Sequence, residues 1–389
     1  MDQKNKLIVS AAGSGKTQYI IERVFDIIRQ NPDSSILITT YTRTNAEQIR
    51  QRIKKYNKEN TNDFSIPKNI IIQEWFSFLL EHGVRPFKAK ILKDMLYKKI
   101  DIYSDFQYNK NLFKKREDVL GQHFLGRHII ANSLADFTLV VNEKTNNDVF
   151  YRIENIFSHI FIDEVQDLAG YDLNIIKSLF KSSIKTFLVG DPRQVTYVTP
   201  IKKTNSQYKN GKIVKFIEDR CKDCSINIDN TTLSFSHRNN QEICDFSSAL
   251  YPSFDKSSPC DCKNCRVMDY YSGIYICKED KIKSYTDNII NKNIGTLRYS
   301  RSKFPEKNFG DSKGLTYDHV IIYPSKTIID YIKNGNLIKM VKNKKGIMEE
   351  KNAFDIAKFY VAITRAKYSV AIVYDYTEND KFISGVKLL

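Results

Sequence analysis

Close to the start of the chain stands the run Ala12-Gly13-Ser14-Gly15-Lys16-Thr17. Glycines let backbone N–H groups approach phosphate oxygens, and a helix that begins just after them adds favourable partial charge. In the phosphate-loop pattern that this run matches, the lysine reaches the β- and γ-phosphates and the hydroxyl ligates Mg²⁺. Lys16 and Thr17 take those places, with Ala12, Gly13, Ser14 and Gly15 around the phosphates. The flanks suit the pattern. Leu7-Ile8-Val9 is an apolar strand before it, and Ile20, Ile21, Val24, Phe25 and Ile28 follow at helical spacing. A chance glycine turn ending in Lys-Thr would need neither flank.

Ile160-Phe161-Ile162 runs into two carboxylates, Asp163 and Glu164. A strand that delivers them to a nucleotide crevice would let Asp163 hold Mg²⁺ through water and Glu164 orient the attacking water. Leu188-Val189-Gly190-Asp191 ends in Gln194, placed to sense a γ-phosphate; the plainer reading is a polar turn. Arg238 and Arg365 could each bring a guanidinium to the transition-state charge. The plainer reading of any single arginine is a solvated side chain.

The seven cysteines are not scattered evenly. Cys221-Lys222-Asp223-Cys224 and Cys262-Lys263-Asn264-Cys265 are two C-x-x-C pairs, which together could bind a structural Zn²⁺ through four thiolates. Their separation exceeds the usual zinc-ribbon spacing, and the alternative is free thiols in a variable loop. Cys244 and Cys277 read as core residues. His123 and His128 have no neighbouring ligands in sequence and read as solvated. No nuclease-type cluster of carboxylates and lysine is evident.

The elements that must position these groups alternate between strand and helix. Leu7–Val9, Ile36–Ile38, Ile70–Ile72, Ile160–Ile162 and Phe187–Val189 read as buried strands, with helical patterns after the glycine loop and around Ala46–Tyr56. That alternation predicts an α/β fold with parallel sheets. Residues 80–150 break the rhythm with a lysine-rich, mostly helical pattern, and 200–212 reads as a linker. The second half repeats the class, with strands at 232–235, 274–276, 320–322 and 370–373 and helices at 239–250 and 354–366. A net charge of +16 from 61 Lys and Arg against 45 Asp and Glu suits a polyanion partner. A lysine-rich solvated surface is the alternative. No apolar run approaches the ~18 residues of a membrane span. No leader sequence is read at the N-terminus, so the expected location is cytoplasmic, without a membrane partner and without disulfides.

In chain order these segments resemble the UvrD/Rep-like branch of superfamily 1 helicases. Ser10–Thr17 resembles motif I and Thr40–Ala46 motif Ia. Asp163-Glu164-Val165-Gln166-Asp167 is similar to motif II in the form that favours DNA over RNA. Val189–Gln194 with Tyr197 resembles motif III, Ser236-His237-Arg238 motif IV, Lys313–Val320 motif V, and Tyr360–Lys367 motif VI. The resemblance implies two RecA-like P-loop domains with parallel sheets, each carrying a small insertion. Domain 1A would be 1–80 and 151–200, with a reduced 1B-like helical insertion at 81–150. Domain 2A would be 213–250 and 308–389, with a reduced 2B-like insertion holding the cysteines at 251–307.

ATP and Mg²⁺ would bind between the domains, with Glu164, Gln194, Arg238 and Arg365 catalytic and His237 and Gly314 beside the nucleotide. Single-stranded DNA would meet Tyr41, Thr42 and Tyr197, with movement 3′ to 5′. The chain departs from the family at several positions. Gln18 stands where an arginine near the base is common, His237 replaces a tyrosine, and Thr199 and Thr316 replace an aromatic and a glutamate. Trp75-Phe76-Ser77-Phe78 fits motif Ib loosely. The compact form resembles the helicase partner of two-gene anti-phage systems such as Gabija, which implies an OLD-family nuclease as partner. Three readings stay open: a single-strand DNA translocase or helicase, a nucleotide-gated module controlling a nuclease, and an RNA-directed motor.

Overall fold

A computed structural model describes residues 4–87, 89–90, 123–125, 128–130, 133–196, 204–263, 265, 270–289, 293–300, 305–343 and 346–389. The chain forms two compact units: Met1–Val9, Lys16–Pro192 and Val198–Asn230 make the first, and Ser10–Gly15, Arg193–Tyr197 and Thr231–Leu389 the second.

The first unit is built on a six-stranded sheet in the order Ile70–Glu74, Ile36–Thr40, His159–Asp163, Lys185–Gly190, Asn5–Val9, Ile226–Asp229. Every neighbouring pair in it is parallel. The central strands are apolar and β-branched and buried along their length, the pattern of a sheet covered on both faces. Helix Lys16–Gln30 turns Ile20, Ile21, Val24, Phe25 and Ile27 into the core, while the expected Ile28 is only half-buried. Helix Arg43–Thr61 starts at Thr42, whose hydroxyl accepts the Asn45 N–H at 3.2 Å and so satisfies an otherwise orphaned donor. Trp75 is buried, and its indole N–H donates to Asp172 at 2.8 Å.

The expected boundaries need correction here. Residues 213–230 do not join the second sheet. Helix Ile213–Arg220 buries Ile213, Phe216 and Ile217 in the first core, and Ile226–Asp229 extends the first sheet beside Asn5–Val9. The 204–212 stretch is packed rather than linker-like: Tyr208 is buried edge-on against Phe216, and Asn205 donates to the Gly170 carbonyl at 2.8 Å. Most of the supposed 81–150 insertion lies outside the described residues. Its C-terminal part is no separate body, because Leu134, Phe137, Val141 and Val149 share the core of Leu37, Ile160 and Leu188.

The second unit repeats the architecture with the strand order Lys307–Asn308, Ile294–Arg298, Tyr317–Tyr323, Ala366–Val373, Gly273–Cys277, Val386–Leu388, again all parallel. The supposed 251–307 insertion therefore supplies two strands of this sheet. Gly273–Cys277 is buried throughout, between Ala366–Val373 and Val386–Leu388. The expected 232–235 strand shrinks to Phe235–Ser236, paired with Ser258–Pro259. Helix Ile356–Ile363 buries Phe359, Tyr360 and Val361, and its N-terminus is capped by Asp355, which accepts the Lys358 N–H at 3.1 Å. No described helix is long and apolar enough to cross a membrane.

Candidate active site

In the first sheet, strands His159–Asp163, Lys185–Gly190 and Asn5–Val9 are consecutive neighbours. Asp163 pairs with Val189, and Gly190 with Val9. The register therefore brings three carboxyl ends to one edge, where open α/β sheets bind their ligands. The lysine and carboxylate singled out by sequence meet there: Lys16 Nζ lies 3.9 Å from Glu164 Oε1, with each side chain 11% exposed. Asp163 Oδ1 accepts the Glu164 N–H at 2.9 Å, and Gln166 Nε2 donates to Glu164. Glu164 holds φ at +56°, a left-handed conformation that costs a non-glycine residue of order 1 kcal/mol and recurs at functional sites. Close packing continues at Gly190, where a Cβ would stand 2.9 Å from Val165 Cγ1.

The loop leading to Lys16 has the features of a phosphate cradle. Gly13 and Gly15 adopt φ of +72° and +83°. A Cβ on Gly13 would lie 2.6 Å from the Arg238 Cβ and 2.8 Å from Ser236 Oγ. Among the described residues the buried Ser14 hydroxyl has no hydrogen-bond partner, a cost that an added acceptor would relieve. These residues, with Thr17 in the first turn of the helix, fit a phosphate chain and a hard cation. Gln18 is exposed and donates to Glu22 at 2.8 Å.

The second unit gathers the remaining polar groups around the end of helix Ile356–Ile363. Arg365 is 2% exposed. Its guanidinium donates to Val361 O at 3.0 Å, Leu315 O at 3.3 Å and Gln194 Oε1 at 3.1 Å. Arg238 Nη1 donates to Thr364 O at 2.9 Å. Gly314, with φ of +83°, turns the chain between Lys313, whose ammonium donates to Gln194 O at 3.0 Å, and Leu315. The 10–15 loop is anchored in this same unit. Ala11 N–H donates to Leu233 O at 2.8 Å, and His237 N–H to Gly13 O at 2.9 Å. So Gln194 and Arg365 come together, as do Arg238 and the glycine loop.

Three contributors to this arrangement carried no assigned role in the sequence reading. Buried Arg193 donates to Ser10 O at 3.0 Å and lies 5.3 Å over the Tyr360 ring. Asn239 donates to Thr364 O at 3.1 Å and Ala366 O at 2.7 Å. Lys313 is the third. Arg193 and Asn239 are immediate neighbours of residues singled out by sequence. Nothing in the spacing tells which adjacent side chain turns inward.

The cysteines assemble differently from the expected four-thiolate set. Cys221 is a first-unit core residue, 2% exposed, and burial pushes its thiol up to about 12. In the second unit Cys262 and Cys265 stand instead with Cys260 and His237, and the four ligand atoms all lie within 4.8 Å of one another. Cys260 was missed because it falls outside the C-x-x-C spacing, and His237 because it is remote in sequence. Cys244 and Cys277 are buried, as expected. His123 is not solvated: it is 1% exposed, with Nε2 3.9 Å from Asp136. The side chain of His128 lies outside the described residues, as do Tyr197 and Thr199. The half-buried Tyr41 ring packs edge-on against Phe76 at 5.6 Å, and Thr42 serves as the helix cap.

The model of the UvrD/REP helicase N-terminal domain matches residues 1–75 and 66–198. A probable DNA helicase II homolog of Mycoplasma genitalium is 26% identical over 237 residues, covering 49% of this chain and 34% of that protein. The Gabija protein GajB of Bacillus cereus is 27% identical over 208 residues, 51% of this chain and 38% of that one. The ATP-dependent DNA helicase Rep of Buchnera aphidicola is 26% identical over 239 residues, 49% and 36% respectively. The matches thus span less than half the length of each relative. Among solved structures, an arterivirus nonstructural protein 10 (helicase) in complex with DNA aligns with 96% of this chain and 62% of its own, at 12% identity and a TM-score of 0.46.

Proposed function

Because this chain belongs to the UvrD/REP helicase family, we propose that it is an ATP-hydrolysing motor that moves along single-stranded DNA, in the 3′ to 5′ direction. The observation that carries this reading is the approach of Lys16 to Glu164 at 3.9 Å at the carboxyl edge of the first sheet. Lys16 binds the β- and γ-phosphates. Thr17 and Asp163 hold Mg²⁺, which when bound neutralises phosphate charge. Glu164 orients the attacking water and accepts its proton. Gln194 reports the γ-phosphate to Arg365, and Arg238 and Arg365 offset charge that develops on the transferring phosphoryl group. Ala12, Gly13, Ser14 and Gly15 line the phosphates, with Gln18, His237 and Gly314 near the rest of the nucleotide. Tyr41, Thr42 and Tyr197 contact the strand. The first sheet corresponds in this reading to domain 1A and the second to domain 2A.

The test is ATP turnover with and without single-stranded DNA, in the wild type and in Glu164→Gln. The motor reading expects DNA stimulation in the wild type and loss of turnover in the variant. Turnover that ignores every DNA added overturns it. DNA against RNA in the same assay separates the two polyanions.

The similarity to GajB favours a second reading. Here nucleotide binding gates a partner nuclease of the OLD family in antiviral defence, with little intrinsic unwinding. Co-purification with a nuclease supports it, and robust unwinding of duplex by this chain alone counts against it.

A further inference from the structure

Among the described residues of the second unit, His237 Nδ1 lies 3.7 Å from Cys262 Sγ and 3.5 Å from Cys265 Sγ. Cys260 completes a group in which all four ligand atoms are within 4.8 Å of one another. Zinc bonds of about 2.3 Å to sulfur and about 2.05 Å to nitrogen, set at tetrahedral angles, put ligand atoms about 3.6 Å apart along an S···N edge and about 3.8 Å along an S···S edge. The observed S···N separations bracket that S···N edge. Three sulfurs and one imidazole nitrogen also form a donor set that suits a borderline-soft divalent cation over a hard one.

The backbone holds this set in place before any metal is added. Ser258–Pro259 pairs in parallel with Phe235–Ser236, and Cys260 N–H donates to Ser236 O at 2.9 Å. That fixes the first sulfur beside the strand that ends one residue before His237. Cys265 N–H donates to Cys262 O at 3.3 Å, closing the tight turn that brings the last two sulfurs to one side. His237 N–H donates to Gly13 O at 2.9 Å, so the backbone of the imidazole ligand grips the glycine loop.

We propose that His237, Cys260, Cys262 and Cys265 form a structural Zn²⁺ site. Four protein ligands close the tetrahedron and leave no position for a substrate, so the ion is a brace and not a catalyst. Binding displaces the three thiol protons to solvent and leaves the imidazole neutral. The ion pins the 258–265 loop to the strand that meets Gly13, and so steadies the 10–15 loop. The site stands on its own donors and holds whether or not the chain moves on DNA.

Metal analysis of the full chain, purified without chelator, tests it. The expected result is about one zinc per chain in the wild type. Cys262→Ser with Cys265→Ser should lose it, while Cys221→Ser with Cys224→Ser should keep it. His237→Cys, which restores a fourth soft ligand, should also retain the metal. Replacement of zinc by Co²⁺ in the wild type should give the intense thiolate charge-transfer and ligand-field bands of a tetrahedral sulfur-rich site, and this readout decides even if the serine variants do not fold. Wild-type protein that lacks zinc and fails to take it up from added zinc salt overturns the proposal. So does metal that follows Cys221 and Cys224.

Discussion

The two units hold their charged groups in different ways. In the first, Asp163 and Glu164 sit where a strand stops, and Lys16 sits where a helix starts. Their places follow from the register of neighbouring parallel strands. In the second, Arg365 reaches Val361 O, Leu315 O and Gln194, and Arg238 reaches Thr364 O. Arg365 is held by a carbonyl one turn back and by two groups distant in sequence, Leu315 O and the Gln194 side chain, and Arg238 by the distant Thr364 carbonyl. A group placed by register can be exchanged for an isostere with little cost to the fold. A buried guanidinium that donates to several groups at once is part of the fold, and its removal takes a donor from each of them.

Substitutions should separate the two arrangements. Glu164→Gln should lower ATP turnover at least ~100-fold, since under the proposed function it removes the carboxylate that orients water, while thermal unfolding stays within about 1 kcal/mol of wild type. A large loss of stability there would erase the contrast. Arg365→Ala should lower turnover by a similar ~100-fold and also cost about 1–3 kcal/mol of stability in denaturant unfolding, because the Leu315 carbonyl and Gln194 lose the guanidinium while Val361 O keeps the Thr364 hydroxyl at 3.2 Å. Arg365→Lys should recover little of either, since an ammonium cannot span acceptors as far apart as Val361 O, Leu315 O and Gln194 Oε1 as a planar fork does. If Arg365→Ala left the unfolding midpoint unchanged, the guanidinium would be a reactive group only.

Gly13→Ala sharpens the contrast at the loop that the second unit anchors. The new Cβ would meet the Arg238 Cβ at 2.6 Å in a positive-φ conformation, so a cost of about 1–3 kcal/mol is expected. Nucleotide affinity should fall with it, and Gly385→Ala, another positive-φ glycine whose Cβ would meet nothing within 4 Å, is the control for φ alone.

Acid supplies a smaller effect, confined to the first unit. Burial lowers His159 to about 4, below its ordinary value of about 6.5. The unfolded chain therefore binds the proton more readily. The contribution is fully present above pH of about 6.5 and is lost as pH falls towards 4, by at most about 3 kcal/mol. Unfolding at pH 7 and pH 4.5 should show the decline, and His159→Phe should flatten it.

Much of the first unit was legible because its chemistry is local. Apolar runs predict strands, and a polar group at the end of such a run reaches the sheet edge whatever the rest of the chain does. The same logic failed at 251–307. Residues 274–276 read as a strand, but no local pattern says that they belong to the Ala366–Val373 sheet, and Ile294–Arg298 is not read as a strand at all. It failed again at 213–230, where Ile226–Asp229 alternates apolar and polar residues without a local mark of its sheet, and only pairing with Asn5–Val9 decides.

The cysteines mark the division most clearly. Cys221-x-x-Cys224 and Cys262-x-x-Cys265 have the same spacing, and spacing alone made them partners. Folding buries Cys221 in a core and sets Cys262 and Cys265 against His237 and Cys260. By itself the sequence determined the alternation of strand and helix, the glycine loop between strand and helix and the carboxylate pair at a strand end, since each is written in residues a turn or a strand apart. Only tertiary structure decided which sheet each strand entered, which carbonyls hold Arg365 and which side chains surround His237. Those are choices between distant segments of equal local propensity, and they are settled by packing and register.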